Sequence, residues 1–100
     1  MVSPAGHINL LQAKRQEILH AAKRRGARNV RVIGSVARNQ ADADSDVDLL
    51  VDFEPGRSLL DHAGLIVDLE RLLGVKVDVA DLQGLRPKVR ERVLRDAREL

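Results

Sequence analysis

Apolar positions along the chain fall into alternating blocks of helical and strand-like spacing. Over residues 9–25, Leu10, Leu11, Ala13, Ile18, Leu19, Ala21 and Ala22 recur at helical intervals, with Asn9 suited to an N-cap and Gly26 to a stop. This spacing predicts one helix with a basic outer face. Residues 29–33 are rich in β-branched side chains and bounded by Gly34, which predicts a strand running into a tight turn. A short helix fits residues 35–39, a polar loop residues 40–45, and a second strand residues 47–53, closed by Glu54-Pro55-Gly56. Ser58 followed three residues later by Asp61 is a capping pattern, and the apolar face from Leu59 to Leu73 predicts a long helix stopped by Gly74. Residues 75–79 alternate branched apolar with charged side chains, which predicts a third strand with two unlike faces. A helical connection of this length joins parallel neighbours, so the third strand is expected to run parallel to the second. Pro87 suits a first helical turn, and Val89, Val93, Leu94, Ala97 and Leu100 predict a basic terminal helix.

Composition narrows the class. The 100 residues are expected to form one small domain spanning 1–100, with a thin core of Leu, Val, Ile and Ala. The absence of cysteine excludes disulfides, thiolate catalysis, zinc ribbons and iron–sulfur clusters. No apolar run approaches the roughly 18 residues of a membrane span, and no signal peptide is evident at the start, so a soluble cytoplasmic protein without membrane contact is expected. A net charge of +2 conceals a segregation. Residues 1–40 carry eight bases and one acid, residues 41–81 eleven acids and three bases, and residues 82–100 six bases and three acids. Carboxylates clustered between basic arms must be solvated separately or hold cations, and an anion can then be gripped by both.

The middle segment carries the candidate chemistry. Asp46 and Asp48, two apart on a strand, project from one face with Cα atoms about 6 to 7 Å apart. Asp78 interrupts a run that otherwise reads as core, where an anion is costly unless a cation or hydrogen bonds compensate it. Three such oxygen donors suit magnesium or manganese, which keep waters and take phosphate oxygens as further ligands. Taken alone, an Asp-x-Asp on a short strand is more often a solvated face. The alternating acids from Asp42 to Asp48 do not form an EF-hand, because Val47 and Phe53 stand where its Gly and Glu belong. Gly34 and Ser35 supply a turn that permits close backbone approach and a hydroxyl at a helix start, a combination favourable to phosphate. Arg38, one helical turn on, is placed either to reach the same anion or to pair with an acid of the cluster. No Walker loop is present, because no Gly-Lys-Ser/Thr follows at the required spacing. His7, His20 and His62 are dispersed and read as surface or helix-face residues.

The array Gly34-Ser35, Arg38, Ser45-Asp46-x-Asp48 and a strand-borne Asp78 resembles the nucleotidyltransferase signature of the DNA polymerase β superfamily. In particular it is similar to the minimal nucleotidyltransferases of the MntA antitoxin type, often encoded beside a helical HEPN partner. Val36 and Asn39 depart from the pattern, standing where relatives often have a larger or basic residue and a glycine. The resemblance implies an α+β fold, with a small mixed β-sheet carrying the three acids and helices packed on it. Asp46, Asp48 and Asp78 are then the catalytic residues and metal ligands, with Asp78 also placed to receive a proton. Gly34, Ser35, Arg38 and Ser45 are expected to hold the nucleotide. Two Mg2+ or Mn2+ ions held by such carboxylates suit in-line attack of a hydroxyl on the α-phosphorus of a nucleoside triphosphate.

The expected activity is transfer of a nucleoside monophosphate, AMP from ATP, to a hydroxyl, with a tyrosine of a HEPN toxin as the acceptor. A second reading is an antitoxin that neutralises a HEPN partner by contact alone. A third is a small-molecule adenylyltransferase, which usually needs an additional acceptor domain for which 100 residues leave no room. Arg86, Lys88, Arg90, Arg92, Arg95 and Arg98 suit RNA or an acidic partner, although such a run is commonly a solvated face. With no aromatic in this segment for base stacking, direct nucleic-acid binding is not expected.

Overall fold

The computed structural model describes residues 6–38, 40 and 46–100; Ser45, Asn39 and most of the predicted 40–45 loop lie outside them. Helices α1 (Gly6–Ala13) and α2 (Arg15–Arg24) replace the single predicted helix. The chain bends at Lys14 (φ −102°, ψ 12°), yet Lys14 N–H still donates to Leu10 O at 3.0 Å and Ile18 N–H to Lys14 O at 2.9 Å. The bend lets α1 lie against the short α3 (Gly34–Ala37) while α2 packs on the sheet and on α4 (Leu59–Leu73).

Strands β1 (Ala27–Ile33), β2 (Val47–Phe53), β3 (Val77–Asp81) and β4 (Arg98–Glu99) form one mixed sheet in the order β3-β2-β1-β4. β1 and β2 are antiparallel, and β2 and β3 are parallel and joined through α4. The α+β architecture with helices on a small mixed sheet is therefore as expected. α4 carries the caps read from sequence. Ser58 Oγ accepts from Leu60 N–H at 3.2 Å, Ser58 N–H donates to Asp61 Oδ2 at 3.2 Å, and Gly74 takes the left-handed conformation (φ 70°) at its end.

The chain's end corrects a prediction. Helix α5 (Pro87–Asp96) stops short of Leu100; Ala97 is extended (φ −64°, ψ 138°), and Arg98 and Glu99 pair with Val32 and Arg31 of β1. Extension gives the backbone hydrogen bonds along the free edge of β1, and Leu100 packs against the core with its carbonyl accepting from Arg15 Nε at 2.8 Å. The three histidines lie on helices, as read from the sequence. His7 is buried, and His62, half-buried, donates from Nε2 to the Val79 carbonyl at 2.6 Å beside the ring of Phe53. Glu70, also on α4, accepts from Val77 N–H at 3.1 Å.

Period-two alternation decides which face carries which chemistry. Val47, Leu49 and Val51 of β2 and Val77 and Val79 of β3 meet Ile18 and Ala22 of α2 and Leu65, Leu69 and Leu73 of α4 in the main core. Full burial of each of the leucines is worth about 1.5–3 kcal/mol. Asp46, Asp48, Leu50 and Asp52 point the other way. Leu50 is nevertheless fully buried outside that core, and the 3-10 turn Leu82–Gly84 packs on β2 while α5 packs on β1 and α3. Those contacts place the turn and α5 over the second face, leaving the carboxylates at its end.

An ion pair ties α2 to α4: Arg25 Nε donates to Asp68 Oδ2 at 2.9 Å. This hydrogen bond, partly opposed by desolvation and reinforced by Arg25's charge, holds the Asp68 carboxyl below its ordinary value. A depressed folded-state value contributes stability above the unfolded value of 3.8, and that stability is lost as pH falls through the folded one. Asp68→Asn should therefore lower Tm at pH 6, with the difference from wild type shrinking as pH falls from about 4 downward. Thermal melts across pH 2.5–7 measure this, and a constant offset contradicts it.

Candidate active site

The site is assembled at one end of the sheet, where β1 finishes and β2 begins. Ile33, the last residue of β1, pairs with Asp48, and Asp48 pairs across the parallel ladder with Asp78. Neighbouring strands lie about 4.8 Å apart, so paired residues present their side chains on the same face. Asp46 precedes β2 by one residue and lies on the Asp48 side of the pleat. Burial first, then the charges of Asp78 and Asp46, push the Asp48 carboxyl above its ordinary value, with the Arg38 guanidinium pulling the other way. The structure thus brings Asp46, Asp48, Asp78 and Arg38 within electrostatic reach of one another.

Gly34, directly after β1, lies against the Asp48 carboxylate. Its φ of +73° lies in the left-handed region, and a Cβ placed there would sit 2.5 Å from Asp48 Oδ2. The missing side chain is therefore what lets the turn approach the carboxylate. Ser35 is half-buried on α3, whose first residue Gly34 accepts from Arg38 N–H at 3.1 Å. The Arg38 side chain is exposed; its Nε donates to Gln40 Oε1 at 3.1 Å and its Nη1 lies 3.9 Å from Asp96 Oδ2. Sequence reasoning missed Asp96 as the partner of Arg38, because a single acid in a basic helix carries no periodic signal. Ser45 lies outside the described residues, so its expected contact is not placed.

The donor set fits a divalent ion such as magnesium. It offers only hard carboxylate oxygens, their mutual repulsion is relieved by a cation, and Asp78 is exposed to solvent. Among the described residues no group of three or more His, Cys, Asp or Glu side chains is placed to hold a metal ion, so Asp46, Asp48 and Asp78 do not form a ready three-carboxylate site. Magnesium can be held by one or two carboxylates with water and substrate phosphates completing its shell, so the fit rests on the neighbouring Asp46 and Asp48.

At this end of the sheet the Asp46–Asp48 pair lies beside the Gly34-Ser35 turn. The chain belongs to the nucleotidyltransferase domain family, which matches it over residues 15–100. It is an enzyme of the minimal type within that family. A candidate minimal nucleotidyltransferase of known structure superposes with a TM-score of 0.84 at 55% identity, covering 92% of this chain and 94% of that one. The protein adenylyltransferase MntA of Thermococcus cleftensis is 41% identical over 88 residues, 88% of this chain and 86% of the relative. A candidate protein adenylyltransferase of Methanocaldococcus jannaschii is 37% identical over 90 residues, 90% of this chain and 96% of that protein. A chain from a toxin–antitoxin crystal structure with AMP-PNP shares the fold at 17% identity (TM-score 0.73), covering 84% of this chain and 69% of that one. Among the described residues no helix is long and apolar enough to cross a membrane.

Proposed function

We propose that the chain transfers AMP from ATP to a hydroxyl of a protein, a tyrosine of a HEPN toxin partner, and so acts as an antitoxin. The observation carrying this reading is the placement of Asp48 between Asp46, Asp78 and the Gly34 turn. Its support also includes relatives named as protein adenylyltransferases at 37% and 41% identity. Asp46, Asp48 and Asp78 would hold the magnesium or manganese ions, two in number. Bound there, the ions would offset negative charge on the phosphates and leaving pyrophosphate. The Gly34-Ser35 turn brings backbone close enough to orient the triphosphate, and Arg38 adds positive charge beside Asp48. The acceptor oxygen attacks the α-phosphorus in line, the bond to the β-phosphate oxygen breaks, pyrophosphate leaves, and the exposed Asp78 carboxylate takes the hydroxyl proton.

Incubation with α-labelled ATP, magnesium and a HEPN-domain toxin is expected to label that protein on tyrosine. The Asp46→Ala, Asp48→Ala double variant should leave it unlabelled and fail to protect cells from it. No label from the wild type, or equal label from the double variant, removes the proposal.

A further inference from the structure

In-line transfer gives the site two sides, because the nucleophile must arrive opposite the leaving pyrophosphate. With the triphosphate oriented by the Gly34-Ser35 turn at the end of β1, the acceptor comes in over β3, the strand on the other flank of β2. The first base met there is Lys76. Val47 N–H donates to its carbonyl at 2.9 Å, and Val47 pairs with Val77, so Lys76 stands across the parallel ladder from Asp46. The N–H of the same peptide unit, that of Val77, donates to Glu70 Oε2 at 3.1 Å, which fixes the backbone from both sides. Val77 is buried in the core while Lys76 and Asp78 are exposed, as alternation requires of two residues sharing the other face with Cα atoms about 6 to 7 Å apart. Of the three bases in the acidic segment 41–81, Arg57 pairs with Glu54 at 2.7 Å, and Arg71 lies on α4, whose leucines cover the opposite face of the sheet. Among the described residues no acid lies within 4.0 Å of the Lys76 ammonium.

We propose that Lys76 is a further catalytic residue, whose ammonium contacts the acceptor oxygen and stabilises the negative charge that gathers there during attack. This inference rests on the proposed reading that AMP is transferred to a tyrosine hydroxyl. The hydroxyl proton goes to Asp78, the oxygen bonds to the α-phosphorus, and the bond to the β-phosphate oxygen breaks; Lys76 gives up no proton and acts as a point charge on a flexible stem. An opposite charge within about 4 to 6 Å favours the ionised form of a group. A phenol, ionising at about 10, is close enough to neutral pH for such a neighbour to matter. The three strands then divide the work: the turn after β1 holds the phosphates, β2 carries Asp48, and β3 presents Lys76 and Asp78 to the acceptor.

The test is steady-state transfer from α-labelled ATP to a HEPN-domain toxin, with kcat and KM resolved for both substrates. Lys76→Ala should lower kcat by about tenfold or more, with KM for ATP and Tm unchanged. Lys76→Arg should keep most of the activity. Lys23→Ala, which removes an exposed lysine just ahead of the other end of β1, should keep all of it. Fluorotyrosine in place of the acceptor tyrosine, a phenol that ionises more readily, should recover part of what Lys76→Ala loses. A loss confined to KM for ATP would mean that Lys76 only offsets the charge of Asp46 and Asp78, and one confined to KM for the toxin that it only aids docking; either overturns the proposal, as does the absence of recovery with fluorotyrosine. Equal transfer by wild type and Lys76→Ala removes Lys76 alone, whereas no transfer by wild type removes the underlying reaction.

Discussion

Asp48→Asn is expected to stop nucleotidyl transfer and, in the same protein, to raise the thermal stability of the metal-free form. At neutral pH the wild-type carboxylate is partly desolvated and faces the charges of Asp46 and Asp78, an arrangement that opposes folding. Asparagine keeps the shape and removes the charge. A gain of about 1 kcal/mol is the usual yield of relieving such a site, which in a domain of this size corresponds to roughly 4–8 °C in Tm. The same charge is what the proposed ions require, and losing several kcal/mol of transition-state stabilisation lowers transfer about a thousandfold. Magnesium should raise Tm of the wild type by mass action and leave that of the variant nearly unmoved. Melts with and without magnesium, beside label-transfer rates, decide the matter; a variant with undiminished transfer refutes the assignment of Asp48.

Gly34→Ala should be nearly as damaging to transfer by a different route. The left-handed backbone costs a non-glycine residue about 1–2 kcal/mol, and the new methyl group would stand 2.5 Å from Asp48 Oδ2. The carboxylate must swing away, and a displacement of this order costs about a hundredfold in rate. Gly74→Ala is the control: φ is +70° there too, but nothing lies within 4 Å of the added atom. Both variants should melt earlier by similar amounts, while only Gly34→Ala loses transfer. Equal activities would show that the close approach of the turn has no part in the reaction.

Much of this arrangement was legible in the chain because its signals are local. Ser58, Asp61 and Gly74 mark the ends of α4 with side chains that act on their own backbone. Asp78 stands out as a charge among branched apolar neighbours, and the helical crossover requires its strand to run beside β2 in parallel. What was illegible depends on distant groups. Ala97 and Leu100 keep helical spacing, but the open edge of β1 draws the backbone into β4. The bend at Lys14 is set by α1 meeting α3, and the burial of His7 by packing. Arg38 reads as an anion ligand from its spacing alone; that Asp96 stands beside it follows from how α5 crosses back.

One consequence concerns assembly. β3 is an outer strand whose outward-facing peptide groups would invite a strand from another molecule, yet two of them are already engaged by His62 and Glu70 from α4. A helix that crosses over to connect the parallel pair therefore also plugs the hydrogen-bonding row that edge-to-edge aggregation would use. A strand docking on that flank would have to displace these two side chains first.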